Sequence, residues 1–140
     1  MRIEGTEKLL KVLNSLSELH AAISRRLADT TRSNAERLAP ARTGRLRRSI
    51  RVVEGAGGYV VLMGGHGAPY AQFVEYGSRP HIIRARRAMA LRFEVDGAVV
   101  YAKYVRHPGT RAQSILARAV EESLRELDGI VSRILMRKIL

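Results

Sequence analysis

Apolar residues recur at helical spacing near both ends of this chain, while glycine and proline cut the stretch between them into short segments. From about Thr6 to Leu38, the residues Leu9, Leu13, Leu16, Ile23 and Leu27 step by three or four, with His20 and Leu38 on the same line. That spacing predicts a long amphipathic helix, or two in succession. Ala39-Pro40 stops it, because the residue before proline is pushed out of the helical region. At the other end, Leu116, Val120, Leu124, Leu127, Val131 and Ile134 form a second stripe. It predicts a helix over 111–138, opened by Thr110 and Gln113 as a capping box. Any sheet is therefore confined to the middle.

That middle reads as strands and turns. Beyond the Thr43-Gly44 turn, Leu46, Arg48, Ile50 and Val52 alternate with Arg47, Ser49 and Arg51, which predicts a strand with one basic face. Residues 54–58 form a flexible connection and 59–63 a second strand, closing a hairpin. After the glycine-rich loop 64–68, Tyr70, Phe73, Val74 and Gly77 fall on one face of a short helical turn over 69–77, ending at Gly77. This predicts a buried anchor, with Phe73 in the core and Glu75 and Tyr76 pointing elsewhere. Residues 79–88 read as an extended basic loop whose Ile82 and Ile83 need burial. Met89, Leu91, Phe93 and Val95 then alternate towards Asp96-Gly97, a two-residue hairpin turn, and 98–105 returns as the partner strand. Pro108-Gly109 fits a type II turn. The expected fold is α+β: one domain over 1–140, with an antiparallel sheet of about four strands (two hairpins within 46–105) packed with a long N-terminal helix (6–38) and a long C-terminal helix (111–138).

Several chemistries drop out. The chain has no cysteine, which excludes disulfides and thiolate metal sites. The glycine-rich loop lacks the Lys-Ser/Thr that follows in a phosphate-binding P-loop. His66 has no partner at metal spacing, and His20 reads as a packed imidazole. Glu121 and Glu122 are adjacent on a helix and point apart, as surface partners of Arg118 and Arg125. No acid–base, nucleophilic or metal constellation emerges, so no catalytic residue, metal or cofactor is expected. The longest apolar runs fall far short of the roughly 20 residues that span a bilayer, and no signal-peptide core stands at the N-terminus, so a soluble, unsecreted protein is expected.

Charge is the positive clue. The net charge is +12, from 25 Lys and Arg against 13 Asp and Glu. Residues 39–58 and 81–110 each carry an excess of four positive charges, while 59–80 is balanced. A basic excess gathered in two segments points to an anionic partner, whether nucleic acid or protein.

Taken together, Ala39-Pro40, Thr43-Gly44-Arg45-Leu46 with Ser49-Ile50, Tyr70-Ala71 with Val74-Glu75-Tyr76-Gly77-Ser78, and His107-Pro108-Gly109-Thr110 before a C-terminal helix resemble the small tailed-bacteriophage neck family. Its HK97 gp10-like members are called tail-completion, head–tail joining or minor tail proteins. Ser78 stands where the family more often has Thr, and Ser114-Ile115-Leu116 where it has a Pro-Phe segment. The resemblance implies a non-enzymatic phage or prophage component that forms an oligomeric ring in the virion neck, assembled in the bacterial host cytoplasm. Its partners would be further copies of itself, connector or head-closure proteins, and tail-terminator or tail-tube proteins, with non-specific contact to packaged DNA and none to membrane. Pro40, Thr43, Gly44, Tyr70, Phe73, Val74, Gly77, Pro108, Gly109 and Thr110 would be structural. Arg42, Arg45, Arg47, Arg79, Ile82, Ile83, Arg84, Arg86 and Arg87 would face neighbours or DNA, and loops 39–45, 64–68 and 79–88 would order against neighbours. The alternative is a sequence-independent nucleic-acid-binding protein acting through its basic loops.

Overall fold

The structure is a computed structural model that describes residues 5–139, with side chains up to Arg137. Among these residues helices and strands are mixed, and the chain divides into two compact units. The first comprises the chain up to Ala71 and from Ser114 onward; the second is Gln72–Gln113.

The first unit is built on α1, Thr6–Leu38, a helix of 33 residues. The periodicity anticipated this element, but its buried residues are small: Ala28, Thr31 and Ala35. They pack against α4, Ile115–Arg125, whose own buried positions are Ile115, Ala119 and Ser123. Small side chains let two helix backbones approach closely, and the Asn34 amide spans the seam to donate to Ser123 Oγ at 3.1 Å. Ser123 Oγ in turn donates to the Ala119 carbonyl at 2.7 Å. Arg37 and Glu122 pair at the rim.

The C-terminal helix differs from expectation at its start and in its continuity. Thr110 does not cap it, because its N–H and C=O are both exchanged with Ser78. The helix begins instead at Ile115, after Ser114 in a left-handed conformation (φ 47°). It breaks at Glu126, whose N–H reaches Ser123 rather than the carbonyl four residues back, and resumes as α5, Leu127–Ile139. A serine bonded back to the preceding turn, as Ser123 is, commonly bends a helix. Ile130 of α5 is fully buried, while Val120 and Leu124 of the expected stripe are about half exposed.

The region expected as the first strand divides in two. Residues Arg45–Arg48 form α2, a single helical turn entered through Gly44 at φ 68°. Leu46 and Ile50 are both buried, and a spacing of four serves a helix as well as a strand. The helical turn prevails because it sends Arg48 away from the buried side, where a strand would have kept it beside Leu46 and Ile50. The strand β1 starts at Arg51 and ends at Gly55, pairing antiparallel with β2, Gly58–Leu62, in the register Val53 opposite Val60.

The second unit starts within α3, Ala71–Tyr76. This helical turn forms where expected and ends at Gly77 (φ 74°), but the buried face is not the anticipated one. Ala71 and Glu75 are buried, Val74 is half-buried, and Phe73 is 51% exposed, with Tyr70 and Tyr76 also in solvent. Ser78 and Thr110 exchange both backbone hydrogen bonds, at 2.9 and 3.0 Å. Gly77 and Gly109 flank that crossing: a Cβ on Gly77 would lie 2.5 Å from the Thr110 carbonyl oxygen, and one on Gly109 2.4 Å from that of Ser78. Part of the expected basic loop is a strand, β3 (His81–Arg84), and the return strand is interrupted at Lys103. Its first part, β5 (Ala98–Ala102), pairs with β4 (Leu91–Val95) across the Asp96-Gly97 turn; its second, β6 (Tyr104–His107), pairs with β3. The expected four-stranded sheet is thus replaced by three two-stranded ribbons.

His20 is exposed rather than packed, as are Leu9, Leu13 and Leu16 on the same line.

The burial pattern separates two substitutions. Ile130→Ala is expected to cost about 2–5 kcal/mol in urea unfolding of the chain. Phe73→Ala, at a half-exposed position, is expected to cost well under the about 3–5 kcal/mol of a buried phenylalanine.

Candidate functional site: two arginine-rich surfaces

Most of the candidate residues gather on two surfaces, one in each unit. In the first unit, α2 and the start of β1 present Arg45, Arg48 and Arg51 around the glycine-rich loop, lining a cleft of about 560 Å³ with Ser49 and His66. The loop is held by these side chains. Arg45 Nε donates to the Gly67 carbonyl at 3.0 Å, and Arg51 Nη1 to the Gly64 carbonyl at 3.2 Å. Ser49 Oγ accepts the Gly64 N–H at 3.0 Å and donates to the Leu46 carbonyl at 2.6 Å. The turn closes its own Ala68 N–H to Gly65 carbonyl bond, and these side chains satisfy the Gly64 and Gly67 backbone groups beside it, so the loop is tied down.

Arg47 lies beside this cleft and donates to the Ala39 carbonyl at 2.9 Å, while Arg48 donates to that of Thr43 at 3.2 Å. Arg42 is exposed in the bend after Pro40. Each of these arginines keeps further N–H groups for a partner, since guanidinium carries five donors.

In the second unit the surface is the β3–β6 ribbon. Residues directly opposite one another share a face. Ile82 stands opposite Arg106 and Arg84 opposite Tyr104, so these four side chains lie together, and all are exposed. On the other face Ile83 is opposite Val105, and His81 is opposite His107 with the two rings stacked at 5.0 Å. His107 Nδ1 accepts the Gly109 N–H at 3.0 Å, and His81 Nδ1 lies 2.9 Å from the Arg79 carbonyl oxygen. These contacts give both imidazoles a local structural role. Ile82 and Ile83 therefore point to opposite faces and do not form one apolar patch. Arg79, Arg86 and Arg87 are exposed in the flanking segments.

Residues 72–113 hold eight basic and three acidic side chains, and one of the acids, Glu75, is buried. In the first unit Arg25–Asp29, Arg32–Glu36, Arg37–Glu122 and Arg125–Glu121 form ion pairs. Arg25 also lies over the Tyr59 ring at 5.5 Å, and Tyr59 first, then Asp29, raise its pKa above the ordinary arginine value.

No group of three or more metal-ligating side chains is found among the described residues. No helix among them is long and apolar enough to cross a membrane.

A family model for bacteriophage HK97-gp10-like tail components matches residues 6–77, just over half of the chain. The chain belongs to this family. As a member of the HK97-gp10-like group it is a phage structural protein of the tail, and so a component of the virion. No curated protein and no solved structure matches it significantly. The matched residues take in α1 through α3 and the glycine-rich loop, including the arginine cleft of the first unit. The β3–β6 surface lies beyond them.

Sequence reasoning singled out Arg45 and Arg47 but left Arg48, Arg51 and Ser49 off the list of contact residues. Ser49 and Arg51 are linked to the glycine-rich loop over 15 and 13 residues, and no local pattern encodes that link. Arg106 and Tyr104 were likewise passed over, because they join the surface only through the pairing of β6 with β3.

Removing one tie tests the cleft. Ser49→Ala leaves the Gly64 N–H without its acceptor, at an expected cost of about 1–3 kcal/mol. Amide exchange at Gly64 should quicken, while Asn34 and its neighbours in α1 stay protected.

Proposed function

We propose that this tail component is a tail-completion or head–tail joining protein that assembles as an oligomeric ring in the virion neck, without catalytic activity. The observation that carries the reading is the state of residues 72–113, where Glu75 is the one buried residue among those described. Phe73, Tyr76, Ile82, Met89, Tyr101 and Tyr104 are all half exposed or more, and Val95 nearly so. An isolated two-stranded ribbon is marginally stable in water, and an exposed apolar surface of this extent marks a contact surface. Head-to-tail contacts between copies would cover it, and such contacts close into a ring when the rotation permits.

The partners in this reading are further copies of the chain, connector or head-closure proteins on one side, and tail-terminator or tail-tube proteins on the other. The exposed arginines Arg42, Arg45, Arg47, Arg79, Arg84, Arg86 and Arg87 would meet acidic surfaces on those partners or line the passage of the DNA.

Mixing the purified protein with candidate neck partners and imaging by electron microscopy should yield rings seated on the neck. A chain that ignores every connector and tail-tube protein would sink the reading. Reversing charge at Arg79, Arg84, Arg86 and Arg87 together is expected to block joining of heads to tails while circular dichroism stays unchanged. Loss of the fold in that variant would mean the segment is structural.

A second reading is favoured by the exposed face of Ile82, Arg84, Tyr104 and Arg106: sequence-independent binding of nucleic acid. Two guanidinium groups flanking a tyrosine suit a phosphate backbone with its stacked bases. Affinity for a duplex oligonucleotide should then fall steeply with salt, and Arg84→Ala and Arg106→Ala should each reduce the log–log slope by about one. Absence of binding at low salt would remove this reading.

A further inference from the structure

The exposed leucines of α1 form a seam that the chain's own fold leaves uncovered. Leu9, Leu13, Leu16, His20, Ile23 and Leu27 follow one another by four, three, four, three and four residues. The five steps cover 18 residues, five turns of an α-helix, so the six side chains stay on one line along it. Leu9, Leu13 and Leu16 are 51–59% exposed, and Leu10 and Val12 beside them are exposed to the same degree. Yet α1 is helical throughout this stretch.

Further along α1 the seam opens into a groove of about 470 Å³ within the first unit, where Leu27 meets Val60 of β2 and Val120 and Leu124 of α4. Those last three side chains are 45–52% exposed. Ridge and groove therefore lie on the same line of one continuous helix, separated by about four turns.

From this we infer that two copies of the chain pair antiparallel along α1, the ridge of each seated in the groove of the other. With the two-fold axis midway between Leu16 and His20, Leu9 meets Leu27 of the second copy, Leu13 meets Ile23, and Leu16 meets His20. Every seam residue is then used once on each helix. The charges permit this approach and disfavour others. In a chain of net charge +12, residues 6–29 carry Lys8, Lys11, Arg25 and Arg26 against Glu7, Glu18 and Asp29, a net charge of +1, and Arg25 is paired with Asp29. This long stretch can lie against its own copy with little repulsion. Of the positions flanking the seam, Leu10, Val12, Ser17, Leu19, Ser24 and Arg26, one alone is charged. The occupant that matches the seam in spacing, length and low charge is the seam itself.

A two-fold contact of this kind closes with two copies, so it is a separate contact from the ring-forming one and does not rest on the ring reading. Sedimentation or light scattering of the full chain should give twice the 15.6 kDa monomer mass. Leu13→Glu, at a position exposed in the monomer, should raise the dimer dissociation constant at least about tenfold with helicity unchanged by circular dichroism. The chain has no cysteine of its own, so the arrangement can be read by cross-linking. A mixture of Leu9→Cys and Leu27→Cys chains should form a disulfide between copies, and Leu9→Cys alone should not. A monomer at about 100 µM, where a pair of micromolar affinity is saturated, would overturn the pairing while leaving ring assembly on neck partners to its own test. Self-cross-linking of Leu9→Cys alone would replace the antiparallel pair by a parallel one, and a mass well above the dimer would exclude a closed two-fold contact.

Discussion

The close packing of α1 on α4 through small side chains is the contact on which the first unit depends. Ala28, Thr31 and Ala35 on one helix and Ala119 and Ser123 on the other leave room for the backbones to approach and for the Asn34–Ser123 hydrogen bond to sit in the seam. Dense packing of this kind gains from many weak contacts rather than from the size of any one side chain. It also decides where the large apolar residues go. With the centre of the interface filled by alanine, threonine and serine, the leucines and valines on these helices are displaced to its margins.

That displacement explains both the success and the failure of reading the fold from the sequence. Periodicity located the extent of α1, and the Ala39-Pro40 step its end, since a helix needs only a repeat and a proline to stop it. The Asp96-Gly97 turn likewise fixed β4 and β5, because positive φ at two successive residues demands that chemistry. The buried faces were misjudged in a consistent way. On α4 the buried residues are Ile115, Ala119 and Ser123, whereas the apolar stripe ran through Leu116, Val120 and Leu124, one position and about 100° further round. On α3 the buried pair is Ala71 and Glu75 rather than Tyr70, Phe73 and Val74. Hydrophobic size is a guide to burial only where the partner is the chain's own core.

Long-range backbone pairing accounts for the rest. Thr110 has the sequence of a helix cap, yet its backbone is already spent on Ser78, and the two glycines beside that crossing admit no side chain. The segment His81–Arg84 has the composition of a loop and becomes a strand because Tyr104–His107 is there to pair with it. The arginine cleft is legible only in part, since Arg45 and Arg51 are committed to carbonyls that lie 22 and 13 residues away. In each case the deciding partner is distant in sequence, and local propensity yields to it.

The same physics bears on assembly. A monomeric domain that gains stability by burying apolar area has no use for leucines at half exposure along a helix, or for ribbons with apolar residues on both faces. In a chain of this family these are the surfaces left for other molecules, and they are of two kinds. Residues 72–113 combine exposed aromatic and aliphatic side chains with an excess of arginine, which suits contacts made late and with acidic or nucleic partners. The seam of α1 is apolar and low in charge, which suits contact with its own kind. A charged surface stays soluble by repulsion, whereas an apolar seam stays soluble only when it is covered, so the seam is the surface that needs a partner from the moment the chain folds.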